Sequence, residues 1–211
     1  MAADLLNLQE VISSIEPHCD GFHIDVMDFH FVPNLTWGPM MVNAIARVAT
    51  KPLFVHLMVD NPVKYVDRLY LRQDDVLSVH YEAIHSPELL RDIKEKKWQT
   101  SVAISPQTST DVLFEMLEYV DDVLLLSVAP GFAGQKFIPK SFEKLKNLVT
   151  LQSAIGKHFT ITVDGGINQD NIGQLCQLGA NGLCLGSSVF GLSGRKIDPV
   201  AALQELRKLC K

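Results

Sequence analysis

From Gly21 onward the chain alternates short apolar, β-branched runs with longer segments of helical period, and no other feature limits its fold so strongly. Strands are predicted over residues 21–26, 53–58, 75–80, 100–104, 123–128, 159–164 and 182–185. A helical segment is predicted after each, among them 62–71, 111–119, 141–151, 168–178 and 199–209. One more helix precedes all the strands: Asp4 is placed to cap a segment whose Leu5, Leu8, Val11, Ile12 and Ile15 fall on one face. Repeated βα units of this kind build a parallel sheet, and the closed form takes eight of each. Seven strands with eight helices therefore predict a (β/α)8 TIM barrel lacking its first strand. An open doubly wound sheet is the alternative, because there the two counts need not match.

The 211 residues suit a single barrel domain, 1–211, and 47% hydrophobic residues against 20% charged ones are enough to bury one large core. A formal charge of -5, with no basic run, argues against a nucleic acid or an anionic membrane as the main partner. No apolar stretch approaches the length of about 20 residues that a bilayer requires. The cysteines, Cys19, Cys176, Cys184 and Cys210, show no CxxC spacing, and nothing at the N-terminus reads as a signal or transit peptide. Reduced thiols and a cytoplasmic location are the expectation. Neither a Walker A spacing nor a GxGxxG opening a helix after the first strand is present, which disfavours ATP- and NAD-dependent chemistry.

The strongest chemical signal is His23-Ile24-Asp25-Val26-Met27-Asp28. Residues two apart in a strand share a face, so His23 and Asp25 project together while Phe22, Ile24 and Val26 face the helices. His56 lies near the end of the second predicted strand and Asp164 ends the sixth. All strands of a parallel barrel end at one rim, where such folds carry their active sites, so these four residues are expected to converge. A lone strand-end histidine is more often a satisfied core group than a ligand. Two inward aspartates, however, need compensation when buried, and a cation supplies it. Two imidazoles with two carboxylates suit Zn²⁺ best, with Fe²⁺, Mn²⁺ or Co²⁺ also accepted. His80 and Glu82 alternate onto one face in a supporting role. Glycines at Gly165-Gly166, Gly186-Ser187 and along the loop of Gly131, Phe132, Ala133 and Gly134 follow consecutive strands, where backbone N–H groups can approach a phosphate.

At these motifs the sequence resembles the ribulose-phosphate 3-epimerase family, over almost its whole length. The matching stretches are His23 to Asp28, Phe31-Val32-Pro33-Asn34, His56-Leu57-Met58-Val59, Pro130-Gly131-Phe132, Gly134-Gln135-Lys136-Phe137 and Val163-Asp164-Gly165-Gly166-Ile167-Asn168. The resemblance implies that His23, Asp25, His56 and Asp164 bind one divalent metal and that Asp25 and Asp164 act as the acid/base pair. It implies a ketose phosphate substrate, with D-ribulose 5-phosphate ahead of D-allulose 6-phosphate, or a paralogue of low activity that only binds. It also implies phosphate contacts around Gly165, Gly166, Gly186 and Ser187, a closing loop from Gly131 to Gly134, and Met27 and Met58 lining the site beside His56. Phe29 stands where the family motif usually has glycine, Leu126 where it has methionine, Ala129 where it has Asn or Glu, and Ala133 where it has a loop glycine. Family members open with a strand that carries a substrate-contacting serine, and Met1 begins inside the motif that follows it. Reduced activity is the expectation from that start, as is association through the exposed sheet edge into a homo-oligomer.

Overall fold

The computed structural model describes residues 2–191 and 197–210; of the expected domain over 1–211, the remaining positions lie outside the described residues. Seven strands form one parallel sheet: β1 (Phe22–Met27), β2 (Leu53–Met58), β3 (Val76–His80), β4 (Gln99–Ile104), β5 (Asp122–Leu126), β6 (Thr160–Asp164) and β7 (Gly182–Cys184). They pair in sequence order from β1 to β7. Every expected strand is present, and the boundaries shift by one or two residues. The sheet curls as the barrel reading requires, and β1 and β7 are its two edges among the described residues.

The helices are α1 (Leu8–Ile15), α2 (Pro39–Val48), α3 (Val63–Val66), α4 (Tyr81–Ile84), α5 (Glu88–Glu95), α6 (Ser141–Ile155), α7 (Ile172–Gln177), α8 (Ser187–Phe190) and α9 (Pro199–Lys208). Asp4 caps the opening turn as expected, its carboxylate accepting from Leu6 N at 3.1 Å, and Ile12 and Ile15 of α1 are buried. One helix per strand is not what forms. Two short helices follow β3, and 111–119 resolves into two 3-10 turns, Thr110–Leu113 and Leu117–Tyr119, rather than one α-helix. Its hydrogen bonds run three residues back, as from Met116 N to Leu113 O at 2.8 Å and from Tyr119 N to Met116 O at 3.0 Å. Over so few residues, apolar spacing of period 3.0 and period 3.6 look alike.

Alternation along each strand divides the core. Outward residues such as Ile24, Val55, Leu77, Val102, Val123 and Ile161 pack under the helices in one large cluster. Each fully buried Leu or Val there contributes roughly 1.5–3 kcal/mol. Inward residues split by depth. Asp122 sits low, its carboxylate accepting from Ser101, Thr160 and Thr162 hydroxyls at 2.7–2.8 Å. Ala103, Leu124 and Leu126 fill the middle with Phe54 and Cys184 against them. Near the strand ends the inward positions become His23, Asp25, His56, His80 and Asp164.

Two cysteines depart from the reduced state: Cys176 of α7 and Cys210, just past α9, form a disulfide with Cα atoms 5.5 Å apart. A separation of 34 residues with no motif gives no hint of this, because only the packing of α9 across the end of α7 brings them together. Cys19 and Cys184 are free thiols.

Candidate active site and metal centre

The parallel register sets the site. Asp25 of β1 lies beside His56 of β2, and Met27 beside Met58, so the inward residues of the two strands form level pairs. Asp164 closes β6 on the far side. His23 Nε2 lies 3.2 Å from Asp25 Oδ1 and 3.8 Å from Asp164 Oδ2, while His56 Nδ1 lies 3.3 Å and 4.0 Å from the same two oxygens. All four donor atoms fall within 4.8 Å of one another. Metal–ligand bonds of about 2.0–2.1 Å in a tetrahedron put neighbouring donors about 3.3 Å apart. The chemistry and spacing of this set fit a divalent cation with little rearrangement.

Electrostatics point the same way. Burial by itself raises the Asp25 carboxyl, but the His23 and His56 imidazoles against it outweigh burial and hold it well below the usual carboxylate range. Burial raises Asp164 to about 6, opposed by His23 and reinforced by the Asp25 charge. Burial lowers His56 to about 4, with the Asp25 hydrogen bond opposing and His80 and His23 adding to the fall. For His23, burial disfavours the imidazolium, yet Cys184 and Asp25 together carry it well above the ordinary value. Burial pushes the Cys184 thiol itself up to about 11, so the sulfur is neutral at physiological pH and Asp25 is the charge that holds the His23 proton. Two carboxyls pressed together at one rim are a destabilising arrangement that a cation relieves.

A cavity of about 640 Å³ runs along the open side of the sheet, from Gly21, Leu53 and Val76 at the strand starts to these groups at the other end. Met27, Met58, Gly131, Phe132, Ala133, Gly134, Gly165, Gly166, Gly186 and Ser187 line it, as do His23, Asp25 and Asp164. His56 is fully buried behind the wall and offers the site only Nδ1. Met27, Val32 and Met58 form a buried apolar cluster with Phe31 beside the donors. The turn after β6 demands its glycines: at φ +112 a side chain on Gly165 would overlap Val128, and at φ +65 one on Gly166 would overlap the Phe137 backbone. The loop from Pro130 to Gln135 is tied down by Asn34 Nδ2, which donates to Gly131 O at 2.6 Å, and by Gln135 Nε2, which donates to Ala129 O and Phe132 O.

Several supporting residues escaped the sequence reading. Thr36 Oγ1 accepts from Met27 N at 2.9 Å and donates to Asp25 O at 2.8 Å, pinning the end of β1. Ser127 Oγ donates to Asp164 O at 2.8 Å and to Gly165 O at 2.6 Å, holding the end of β6. Ser127 was expected inside a strand, yet the strand stops at Leu126. Cys184 Sγ meets His23 Nδ1 at 3.2 Å. Strand parity, two positions before Gly186, gives its inward face but not its partner 161 residues away. Glu82 faces the same way as His80 for a reason other than strand alternation: β3 ends at His80, and α4 carries Glu82 back against the ring at 2.9 Å.

A curled parallel sheet that gathers two imidazoles and two carboxylates at the C-terminal ends of its strands, under a glycine-rich rim, defines an enzyme of the barrel class. The family model for the ribulose-phosphate 3 epimerase family matches residues 1–190. Ribulose-phosphate 3-epimerase of Bacillus subtilis (strain 168) is 40% identical over 210 residues, covering 98% of this chain and 95% of that protein. The chloroplastic ribulose-5-phosphate-3-epimerase of Arabidopsis thaliana is 37% identical over 195 residues, covering 90% and 69%. A solved 3-hexulose-6-phosphate synthase superposes with a TM-score of 0.67 at 15% identity, over 96% of this chain and 93% of that one, which shows the shared fold. The chain belongs to the ribulose-phosphate 3-epimerase family, and so to the isomerases.

Proposed function

We propose that this protein interconverts D-ribulose 5-phosphate and D-xylulose 5-phosphate by epimerisation at C3, with one divalent cation and with Asp25 and Asp164 as acid and base, a step of pentose phosphate metabolism. The observation that carries this reading is the gathering of His23, Asp25, His56 and Asp164, from three strands, with their donor atoms within 4.8 Å of one another. Zn²⁺ is the ion proposed, and Fe²⁺, Mn²⁺ and Co²⁺ suit the same donors.

Inversion at C3 requires removal of a proton next to a carbonyl and delivery of another from the opposite side. Asp25 on β1 and Asp164 on β6 reach the cavity from well-separated strands, and their environments push the two carboxyls apart, one held ionised and one raised to about 6. His23, Asp25, His56 and Asp164 would hold the cation, which would supply Lewis acidity beside the reacting carbons. Met27 and Met58, backed by buried Val32, present an apolar wall that excludes water from the reacting carbons. His23 and His56 are oriented by their neighbours and keep the two carboxylates in place. The backbone around Gly165, Gly166, Gly186 and Ser187 would receive the phosphate, with the Gly131 to Gly134 loop closing alongside. The reading includes one domain, a cytoplasmic location, where charged sugar phosphates are retained, and a homo-oligomer, supported by the exposed Leu6, Leu35 and Met40. Ala133 and Leu126 on the cavity wall support a second substrate, D-allulose 6-phosphate. Phe29 is turned to solvent, 65% exposed, and bears less on that choice.

The test is turnover of both ketose phosphates in D₂O, with metal content measured on the purified protein. Ribulose 5-phosphate should exchange its C3 hydrogen and form xylulose 5-phosphate, and Asp25→Asn or Asp164→Asn should abolish exchange. Full exchange in either variant would reject the two-base assignment, and faster turnover of the hexulose phosphate would replace the substrate.

A further inference from the structure

Behind the cavity wall a buried chain of polar groups runs away from the site and ends on a carboxylate. His56 Nε2 lies 2.9 Å from His80 Nε2, and both rings are fully buried. His80 Nδ1 lies 2.9 Å from Glu82 Oε2. Glu82 Oε1 accepts from Ser105 N at 2.9 Å and from the Thr108 hydroxyl. Lys144 Nζ donates to Ser105 O at 2.9 Å and Thr108 O at 2.6 Å, which fixes the loop that faces Glu82. Phe31 and His56 flank the His80 ring, with centroids 4.6 and 5.0 Å away. Of the three relay side chains, only His56 belongs to the proposed donor set, and the sequence of donors and acceptors admits one order only once His56 Nδ1 is a ligand.

An ionised carboxylate only accepts, so His80 Nδ1 must carry the proton that faces Glu82. A neutral His80 then presents a lone pair at Nε2, and only an N–H can meet it at 2.9 Å. With the proposed cation seated between His56 Nδ1 and the Asp25 and Asp164 oxygens, His56 must supply that N–H from Nε2, which leaves Nδ1 as the lone pair that binds the cation. We infer that Glu82 and His80 are positioning residues that dictate, through two hydrogen bonds, the tautomer in which His56 can bind a cation. The inference rests on the proposed cation at His23, Asp25, His56 and Asp164. Outer partners of this kind are worth 10- to 100-fold in metal affinity.

Glu82→Gln separates the role from mere packing, since it preserves volume and destroys the acceptor-only character. If the amide nitrogen faces His80, it forces a lone pair onto Nδ1 and reverses the chain; if it faces the loop, it meets the Ser105 N–H donor. The experiment is Zn²⁺ affinity by chelator competition for wild type and Glu82→Gln, with ¹⁵N imidazole spectra of the zinc-loaded wild type. The expected result is a 10- to 100-fold loss of affinity in the variant, with His56 protonated at Nε2 only and His80 at Nδ1 only. Zinc binding by wild type that Glu82→Gln leaves unchanged, or a His80 protonated at Nε2 only, overturns the relay. Wild type that takes up no zinc overturns the cation reading itself.

Discussion

Cys184 Sγ lies 3.2 Å from His23 Nδ1, so a side chain on β7 reaches a side chain on β1 across the opening of the sheet. His23 turns Nε2 toward the carboxylates, and its remaining nitrogen is left to the thiol. A buried ring nitrogen without a partner costs on the order of 1–3 kcal/mol. Cys184→Ala should therefore lower stability by about 1 kcal/mol in urea unfolding, while Cys184→Ser, which keeps a polar partner, should stay near wild type. Equal midpoints for the alanine and serine variants would show that the contact contributes nothing.

Phe29 adopts φ 63, the left-handed region, two residues past the end of β1. The turn needs that conformation because Phe29 N donates to Asn34 O at 3.0 Å while Asp28 Oδ1 accepts from His30 N and Phe31 N. A bulky residue there is strained by roughly 1–2 kcal/mol, and its ring is mostly exposed and recovers little by burial. Glycine removes the strain but adds unfolded-state entropy of roughly 0.5–1 kcal/mol. Phe29→Gly should raise stability by up to about 1 kcal/mol, read as a higher denaturation midpoint with an unchanged slope.

These two positions show what the sequence could and could not disclose. The pairing of His23 with Asp25 was legible because strand parity is a two-residue rule that needs no partner, and Asp164 and His56 were legible as strand-end polar residues in apolar runs. Phe29 was visible only as a departure from a glycine. Cys184 and Ser127 act through residues more than 30 positions away, on neighbouring strands or across the sheet opening, and parity says which face they occupy but not what they meet. Glu82 was assigned the right neighbour by the wrong route, since a strand and a tight helical turn both return residue i+2 toward the same side. The disulfide was hidden for the same reason as Cys184: its partners meet through helix packing.

The disulfide between Cys176 and Cys210 fastens the end of α9 to α7 and closes a loop of 34 residues. Closing such a loop restricts the unfolded chain and stabilises the fold by about 2–4 kcal/mol. Cys210→Ser should lower the free energy of unfolding by that amount, and a reductant should bring wild type to the same value while leaving the variant unmoved. A wild type insensitive to reductant would contradict the bridge.

At the starts of the strands, opposite the end that carries His23, Asp25, His56 and Asp164, Asp75 is fully buried and accepts from Leu53 N at 2.8 Å, Arg72 N at 2.7 Å and Arg72 Nη2 at 2.8 Å. Arg72 in turn donates to Ala49 O and Lys51 O, so the pair ties the entry of β2 to the segment before β3. Removing the Asp75 carboxylate leaves the buried Leu53 N–H and the partly exposed Arg72 guanidinium without their acceptor, at a cost of about 1–3 kcal/mol. Asp75→Ala should lose about that much stability while turnover per folded molecule stays at the wild-type value. A specific loss of turnover would mean that this rim communicates with the site.

Cation binding should weaken as the solution is acidified, and the groups that cause it are on opposite sides of the donor set. Burial holds Asp164 at about 6, above its ordinary value, and Asp25 raises His23 above the ordinary histidine range. Both therefore carry protons in the cation-free protein just below pH 6, and both must release them to ligate. For Asp164, a folded value raised above the unfolded one means that the cation-free fold loses stability as pH climbs from about 4 to 6, and a cation reverses that loss. Each proton displaced makes apparent affinity fall about tenfold per pH unit below the group's value. Zn²⁺ affinity should thus fall by up to about two decades between pH 6 and pH 5, with protons released on binding detectable as a buffer-dependent heat. Asp164→Asn should remove one of the two decades in that slope, and a slope unchanged in that variant would assign the proton elsewhere.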